Sequence, residues 1–257
     1  MPFFTDPMKN LLIFVLVVAL AIMGYLLFRK DRVGETPETT DTEEPIENVD
    51  SEPKTDIFKS EAKKEIKEET EVVLIKAEYP SFGDEKVDEE IKSFVQKEVS
   101  TFKSENSTSF PGQSVKNSLE VTYRLEKGEG FTAVVFSMAT YTGGAHGNLS
   151  LKTFVYENGG ERLSVGSLFT PESNYLSRLS ELSLIKLKEN MGEALGAWAP
   201  DGTAPVSSNF EAFYITGDDT LNIIFQPYQV APWSSGVPLI KIDLSDELEE
   251  IVNKDIF

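Results

Sequence analysis

The chain has 257 residues, of which 43 are acidic and 24 are basic, and its formal net charge at neutral pH is −19. This length leaves room for one large or two small domains, and the charge argues against nucleic acid, whose phosphates would be repelled. The chain contains no cysteine and a single histidine, His146, so disulfides, thiol catalysis and cysteine-bound metal centres are excluded. We expect no cofactor and no metal.

The first predicted element is an apolar helix from Leu11 to Phe28 (residues 11–28), a run of 18 residues without a charged side chain. At about 1.5 Å per residue this helix is roughly 27 Å long, close to the thickness of the hydrocarbon core of a bilayer. Ala19 and Ala21 would also fit a signal-peptide cleavage site, but the apolar run continues past them and favours an uncleaved membrane anchor. The charges that flank the helix, including those of the short tail 1–10, leave its orientation open.

Residues 29–70 are predicted to form a disordered acidic linker. Between Glu35 and Thr70 there are 13 acidic residues, 5 basic residues and few large apolar ones. Such a stretch cannot bury enough apolar surface to offset the entropy of ordering. We expect a flexible spacer whose C-terminal end, 58–69, could form a short charged helix.

The pattern of a folded domain begins at residue 71. Alternating apolar residues and short glycine-containing turns predict a set of strands, and apolar residues at three- and four-residue spacing predict a helix that starts after Asp84. The predicted elements in this half are strands at 71–79, 119–126, 131–141 and 149–156 and a helix that ends near Phe102.

The second half begins with a helix that is predicted from Thr170 to about Met191, with a proline at its first position. Two strands at 210–216 and 221–225 are predicted to form a hairpin, followed by a strand at 237–244 and a helix from Ser245 to Asn253. Because strands occur in runs with helices between the runs, the sequence predicts an α+β fold of antiparallel sheets packed with helices, and not alternating βαβ units.

Three segments carry a resemblance to a known family: residues 78–95 (EYPSFGDEKVDEEIKSFV), 141–148 (YTGGAHGN) and 225–248 (FQPYQVAPWSSGVPLIKIDLSDEL). In order and spacing they resemble the paired extracytoplasmic domains of the RsiV/PdaC-like family of bacterial envelope proteins, DUF4163 followed by DUF3298. The resemblance implies a DUF4163-like (PdaC-type) domain at 71–165 and a DUF3298-like (RsiV C-terminal type) domain at 166–257. It also implies a single-pass protein of the cytoplasmic membrane whose C-terminal part is extracytoplasmic.

The family includes anti-sigma factors that sense lysozyme and the noncatalytic N-terminal part of peptidoglycan deacetylases. Only residues 1–10 precede the predicted anchor, which argues against an ordinary anti-sigma role, and the chain stops at Phe257, where deacetylase members continue into a catalytic domain. We therefore expect no enzyme but a membrane-anchored binding or sensing module whose ligand is peptidoglycan or a cationic protein such as lysozyme. The alternatives are a cell-wall hydrolase with carboxylates assembled by the fold and a purely structural envelope module.

The candidate ligand-binding residues lie in two loops. The loop at the end of the predicted strand 131–141 offers an imidazole within a glycine-rich turn, and the later loop offers exposed aromatic candidates. The residues are Tyr141, Gly143, Gly144, His146 and Asn148 in the first loop and Tyr228 and Trp233 in the second.

Each candidate also has a structural interpretation. His146 is either a ligand contact or pH-sensitive group, or a structural residue whose ring hydrogen-bonds backbone across the turn, and the structural interpretation is favoured. Tyr228 and Trp233 either stack on a sugar ring or anchor a protein contact, or they close the core. Trp198 is expected in the core. No catalytic residue is predicted, because acidic pairs such as Asp246 and Glu247 fit turns and helix caps better than an active site.

Overall fold

A computed structural model describes residues 56–108, 115–217 and 219–257, and they form an α+β fold with two sheets and several helices. This confirms the predicted fold class. The six-stranded sheet consists, in chain order and in spatial order, of β1 (Ala62–Glu69), β2 (Val73–Ser81), β3 (Asn117–Gly128), β4 (Phe131–Tyr141), β5 (Asn148–Glu157) and β6 (Arg162–Leu163). The three-stranded sheet consists of β7 (Phe213–Thr216), β8 (Thr220–Ile224) and β9 (Leu239–Asp243). The α-helices are α1 (Glu85–Glu105), α2 (Tyr175–Met191), α3 (Ala199–Gly202) and α4 (Leu244–Glu247).

The larger sheet is mixed and not purely antiparallel as predicted. β2 and β3 run parallel, with Ile75 opposite Leu119, whereas the other neighbouring strands of this sheet are antiparallel. The reason is α1, which lies between them in the sequence and returns the chain to the same end of the sheet. A parallel pair needs such a crossover. Asp84 caps α1 by accepting a hydrogen bond from the backbone N–H of Val87.

The prediction of disorder through residue 70 is wrong for its last part. Residues 62–69 form β1 at the edge of the large sheet, where Ile66 lies opposite Ala77, and the turn before it buries the ring of Phe58. Phe58 packs edge-on against Phe82, with ring centroids 4.8 Å apart. The strand is rich in charge because an edge strand with one outward face needs few apolar residues.

The large sheet has a separate core on each of its two faces. Successive β4 residues point in opposite directions, so Val134 and Phe136 pack towards α1, and Ala133 and Val135 pack towards the three-stranded sheet and α2. All four side chains are buried. The two domains predicted at 71–165 and 166–257 thus meet across a shared sheet.

Several helix boundaries differ from those predicted. The helix α2 starts at Tyr175 and not at Thr170, because Glu172 has a positive φ of 64° and the chain turns there first. The last helix, α4, is one turn long and is capped by Asp243 in place of Ser245. Among the described residues no helix is long and apolar enough to cross a membrane, and the predicted anchor at 11–28 lies outside them.

Candidate functional site: an exposed aromatic surface

The two loops that carry the sequence candidates meet in space. The rings of His146 and Trp233 are stacked, with centroids 5.1 Å apart and planes 16° from parallel. The ring of Trp233 is followed by that of Tyr228 at 6.0 Å and 30°. Trp198 joins this group through a hydrogen bond from its Nε1 to the backbone carbonyl of Tyr228, at 2.8 Å. We call these four side chains (His146, Trp198, Tyr228 and Trp233) the aromatic surface.

The first loop connects β4 to β5 and owes its shape to two glycines. Gly143 and Gly144 have φ angles of 96° and 102°, which side-chain-bearing residues rarely adopt. The hydroxyl of Tyr141 donates to the carbonyl of Gly144 at 3.1 Å. Nδ1 of His146 lies 2.7 Å from the carbonyl oxygen of Gly147. Since a carbonyl oxygen only accepts, this contact assigns a proton to Nδ1.

The second loop, between β8 and β9, is held against β5 by a glutamine side chain. Oε1 of Gln226 accepts from the backbone N–H of Leu151 at 2.9 Å, and Nε2 donates to the carbonyl of the same residue at 2.8 Å. Gln226 thus occupies the free edge of β5 much as another strand would. Gln229 then fixes the start of the loop, since its Oε1 accepts from the backbone N–H of Gln226 at 2.8 Å.

Tyr228 stands at the most strained point of the second loop. Its φ angle is 68°, in the left-handed region where a bulky residue is an outlier. The side chain gains little burial in return, because 52% of it is exposed. Backbone strain at an exposed aromatic residue is more typical of a binding loop than of a core.

The structure brings the two loops of predicted site residues together, and it corrects the expectation that Trp198 lies in the core. Tyr141 and Trp233 are half-buried and His146 and Asn148 are exposed, so none of these closes the core. The stack on Trp233 gives His146 a position on the surface in addition to the backbone contact expected of a structural residue. Whether these residues bind a ligand stays a prediction.

Trp198, expected in the core, is 43% exposed and belongs to the aromatic surface. Sequence reasoning missed it, although Gly196 is a signal. A Cβ on that glycine would lie 2.7 Å from the indole ring, so the ring folds back over a position that only glycine can occupy.

The chemistry offered by the aromatic surface is that of contact. Partly exposed aromatic rings suit a partly apolar ligand, and the edges of Tyr228 and His146 add polar groups. Within the described part of the chain, no group of three or more histidine, aspartate or glutamate side chains is arranged to hold a metal ion.

Comparison with known families gives two matches. Residues 66–149 match the family described as deacetylase PdaC, and residues 166–245 match the family described as a protein of unknown function, DUF3298. The chain is also 36% identical over 179 residues to the peptidoglycan-N-acetylmuramic acid deacetylase PdaC of Bacillus subtilis. Together these matches support a PdaC-like family. The aligned region is 67% of this chain but only 38% of the relative.

Two solved structures share this fold. A DUF3298 family protein from Pseudomonas aeruginosa gives a TM-score of 0.56 at 15% identity, covering 78% of this chain and 98% of that one. A DUF3298 member from Bacteroides fragilis gives 0.53 at 15% identity, covering 76% and 94%. At this identity the likeness shows the fold alone.

The expectation that the chain is not an enzyme is contradicted by these comparisons. The family matched over residues 66–149 and the relative from Bacillus subtilis are both named as deacetylases, which points towards enzymatic activity. The expectation had rested on where the chain ends and on the lack of a recognisable catalytic residue in the sequence.

Proposed function

We propose that this PdaC-like chain acts at the bacterial cell wall and that its aromatic surface binds the glycan of peptidoglycan. The observation that carries the proposal is the stack of His146, Trp233 and Tyr228, built from two loops on the surface. The name of the relative, a deacetylase of peptidoglycan, supports the choice of ligand.

The geometry suits a sugar for a physical reason. The C–H groups of a pyranose form an apolar face that packs on an aromatic ring, while its hydroxyls need hydrogen-bonding groups at the edge. Tyr228 and Trp198, at 52% and 43% exposure, offer such faces without rearrangement of the core. The two-point attachment of the second loop by Gln226 and Gln229 holds these rings in place before a ligand arrives, which lowers the entropy cost of binding.

The proposal includes the position of the protein. The apolar run 11–28 would anchor the chain in the cytoplasmic membrane, and the folded part would face the wall from outside. The acidic residues ahead of β1 would act as a spacer, now shortened because residues 62–69 belong to the fold.

The test is the affinity of the chain for soluble glycan fragments of peptidoglycan, measured by calorimetry. Replacing Trp233 with alanine should weaken binding roughly tenfold or more, because a central aromatic residue carries a large share of an interface's energy. Phe257→Ala is the matched control, since Phe257 is also an exposed aromatic (38%) but packs on Phe131 at the opposite end of β4. Equal binding by the wild type and Trp233→Ala, or binding to lysozyme with none to glycan, would contradict the proposal.

Deacetylation of peptidoglycan is the second candidate, because the matched family and the relative are named for it. The same glycan, incubated with the chain, should then release acetate, which is assayed directly. If the aromatic surface positions the substrate, Trp233→Ala should raise KM for this release. Acetate release that is unaffected by Trp233→Ala would separate the activity from the aromatic surface.

A further inference from the structure

A cavity lies beside β5, the strand that follows the His146 loop, and it is lined by charged side chains. It has a volume of about 470 Å³ and is lined by residues from β5, β6, the turn after β6, the start of α2, the segment before β7 and the start of β7. The polar side chains in its lining that carry the argument are Lys152, Arg162, Ser164, Ser167, Tyr175 and Glu211.

The charge of this lining is opposite in sign to the net charge of the chain. Two cations, Lys152 and Arg162, and one carboxylate, Glu211, line the cavity, so the lining is net positive in a protein whose formal charge is −19. The carboxylate of Glu90, which pairs with Arg162, lies outside this lining. Nζ of Lys152 lies 3.3 Å from Oε2 of Glu211; the side chain of Lys152 is 38% exposed and that of Glu211 is 59% exposed. Such an exposed pair is weak and exchanges readily for a better anion.

Arg162 is fixed in place but incompletely satisfied. Its Nη2 donates to the carbonyl of Thr153 at 3.0 Å, and its guanidinium lies 4.1 Å from the ring centroid of Phe154. Its Nη1 is buried and has no hydrogen-bond partner within the described residues; the nearest carboxylate oxygen, on Glu90, is 3.8 Å away. That separation is an ion pair but too long for a hydrogen bond. Because Nη1 is enclosed, Arg162 contributes its fixed positive charge to the lining and not this N–H group.

Small donors surround the two cations. Ser164 and Ser167 hydrogen-bond each other across a tight turn, with their Oγ atoms 2.9 Å apart. A Cβ on the intervening Gly166 would meet the hydroxyl of Tyr175 at 2.9 Å, so the absence of a side chain there leaves the tyrosine hydroxyl at the wall of the cavity. Serine and tyrosine hydroxyls can donate to an anion.

A smaller cavity of about 190 Å³ adjoins this site on the side of the second loop. It shares Lys152 and Glu211 with the larger cavity and is also lined by Gln226 and Gln229, the residues that hold the Tyr228 loop. His146 lies just before β5, which begins at Asn148. Lys152 is four residues further along this strand, so at about 3.3 Å per residue it lies roughly 13 Å from Asn148. A ligand that spans both places therefore needs a sugar at one end and a carboxylate at the other.

We propose that the cavity lined by Lys152 and Arg162 binds a carboxylate, and that its occupant is the C-terminal carboxylate of the short peptide carried by the glycan. The net charge of the lining, two cations against one carboxylate, matches a monoanion. This identification of the occupant rests on the proposed function, since a wall glycan bears such peptides.

The experiment measures the affinity of the full chain for acetyl-D-alanyl-D-alanine and for the same dipeptide with a C-terminal amide. The acid should bind at least about tenfold more tightly than the amide, and Lys152→Gln should weaken binding of the acid by a similar factor. Glu211→Gln should have the opposite effect and tighten binding, because it removes the competing carboxylate from Lys152. Lys241→Gln, at an exposed lysine of β9, is the matched control and should change nothing.

Lys152→Gln and Glu211→Gln are expected to change the affinity in opposite directions. Damage to the fold would instead weaken binding in both variants. Equal binding of acid and amide, no binding of the acid, or weaker binding by Glu211→Gln would overturn the proposal. Displacement of the dipeptide by an equal concentration of acetate would overturn the peptide as occupant. Glycan binding without dipeptide binding would overturn only this inference, whereas dipeptide binding that survives Trp233→Ala while glycan is not bound at all would overturn the proposed function alone.

Discussion

At the scale of single residues, the clearest sign of function is the backbone of Tyr228. A tyrosine with a φ of 68° costs about 1–2 kcal/mol relative to an ordinary conformation. Its exposed ring recovers little of this through burial. The hydrogen bond that its carbonyl accepts from Trp198 and the side-chain contacts of Gln226 and Gln229 hold the strained loop in place.

This strain predicts a difference between two substitutions. Tyr228→Gly and Tyr228→Ala both remove the ring, but only glycine adopts a positive φ without steric cost. The glycine variant should therefore be the more stable by about 1 kcal/mol. The free energy of unfolding in urea measures the difference. Both variants should lose affinity for glycan fragments. An alanine variant as stable as the glycine variant would show that the loop relaxes and that Tyr228 is not strained in solution.

Three of the four residues of the aromatic surface, His146, Tyr228 and Trp233, could be found from the sequence, but Trp198 and the arrangement of the four could not. His146 and Trp233 were singled out because each lies in a loop rich in glycine or proline between predicted strands. Their stacking depends on how β5 and the loop after β8 meet, through contacts between Gln226 and Leu151 that no local pattern encodes. Lys152 and Arg162 carried no signal at all, because single cations in strands are usually solvated.

At the scale of elements, strand β1 shows where composition misleads. Its sequence, AKKEIKEE, is what a solvated linker looks like, and it contains one large apolar residue, Ile66. It forms a strand because β2 offers an edge to pair with and because charged residues suit the outward position. The predicted bounds of β3, β4 and β5 lie within two residues of the observed ones, since glycine-containing turns mark the ends of these strands locally.

This element makes a direct prediction about stability. A chain that begins at residue 71 lacks β1 and the ring of Phe58, which is 1% exposed and packs on Phe82 and Tyr156. Phe58→Ala alone should lower the free energy of unfolding by about 3–5 kcal/mol, and the chain from residue 71 should be destabilised further. Denaturant midpoints of the full chain, Phe58→Ala and the shortened chain give the comparison. A shortened chain as stable as the full one would mean that β1 contributes nothing to the fold.

At the scale of the whole molecule, the important feature is that one strand serves two cores. Val134 packs in the core beneath α1, and its neighbour Val135 packs in the core beneath the three-stranded sheet, and both are fully buried. The match to one family ends at residue 149, at the start of β5, and the match to the other begins at residue 166, after β6. Because β4 and β5 contribute side chains to both cores, unfolding these strands on behalf of one core would also expose the other.

The shared sheet predicts that the described part of the chain unfolds in a single transition. Val134→Ala and Val135→Ala should each lower the free energy of unfolding by about 2 kcal/mol and should shift the same transition, although they empty different cores. Val206→Ala, at a valine that is 49% exposed, is the control and should stay within about 0.5 kcal/mol of the wild type. Calorimetry and denaturant titrations followed by tryptophan fluorescence test this, because Trp198 and Trp233 report on the second half while calorimetry reports on both. Two separate transitions, with each valine variant shifting only one, would show that the halves fold independently. In that case the aromatic surface, which joins the loop before β5 to the loop after β8, would form only after the halves have docked, and its binding would depend on the stability of that contact.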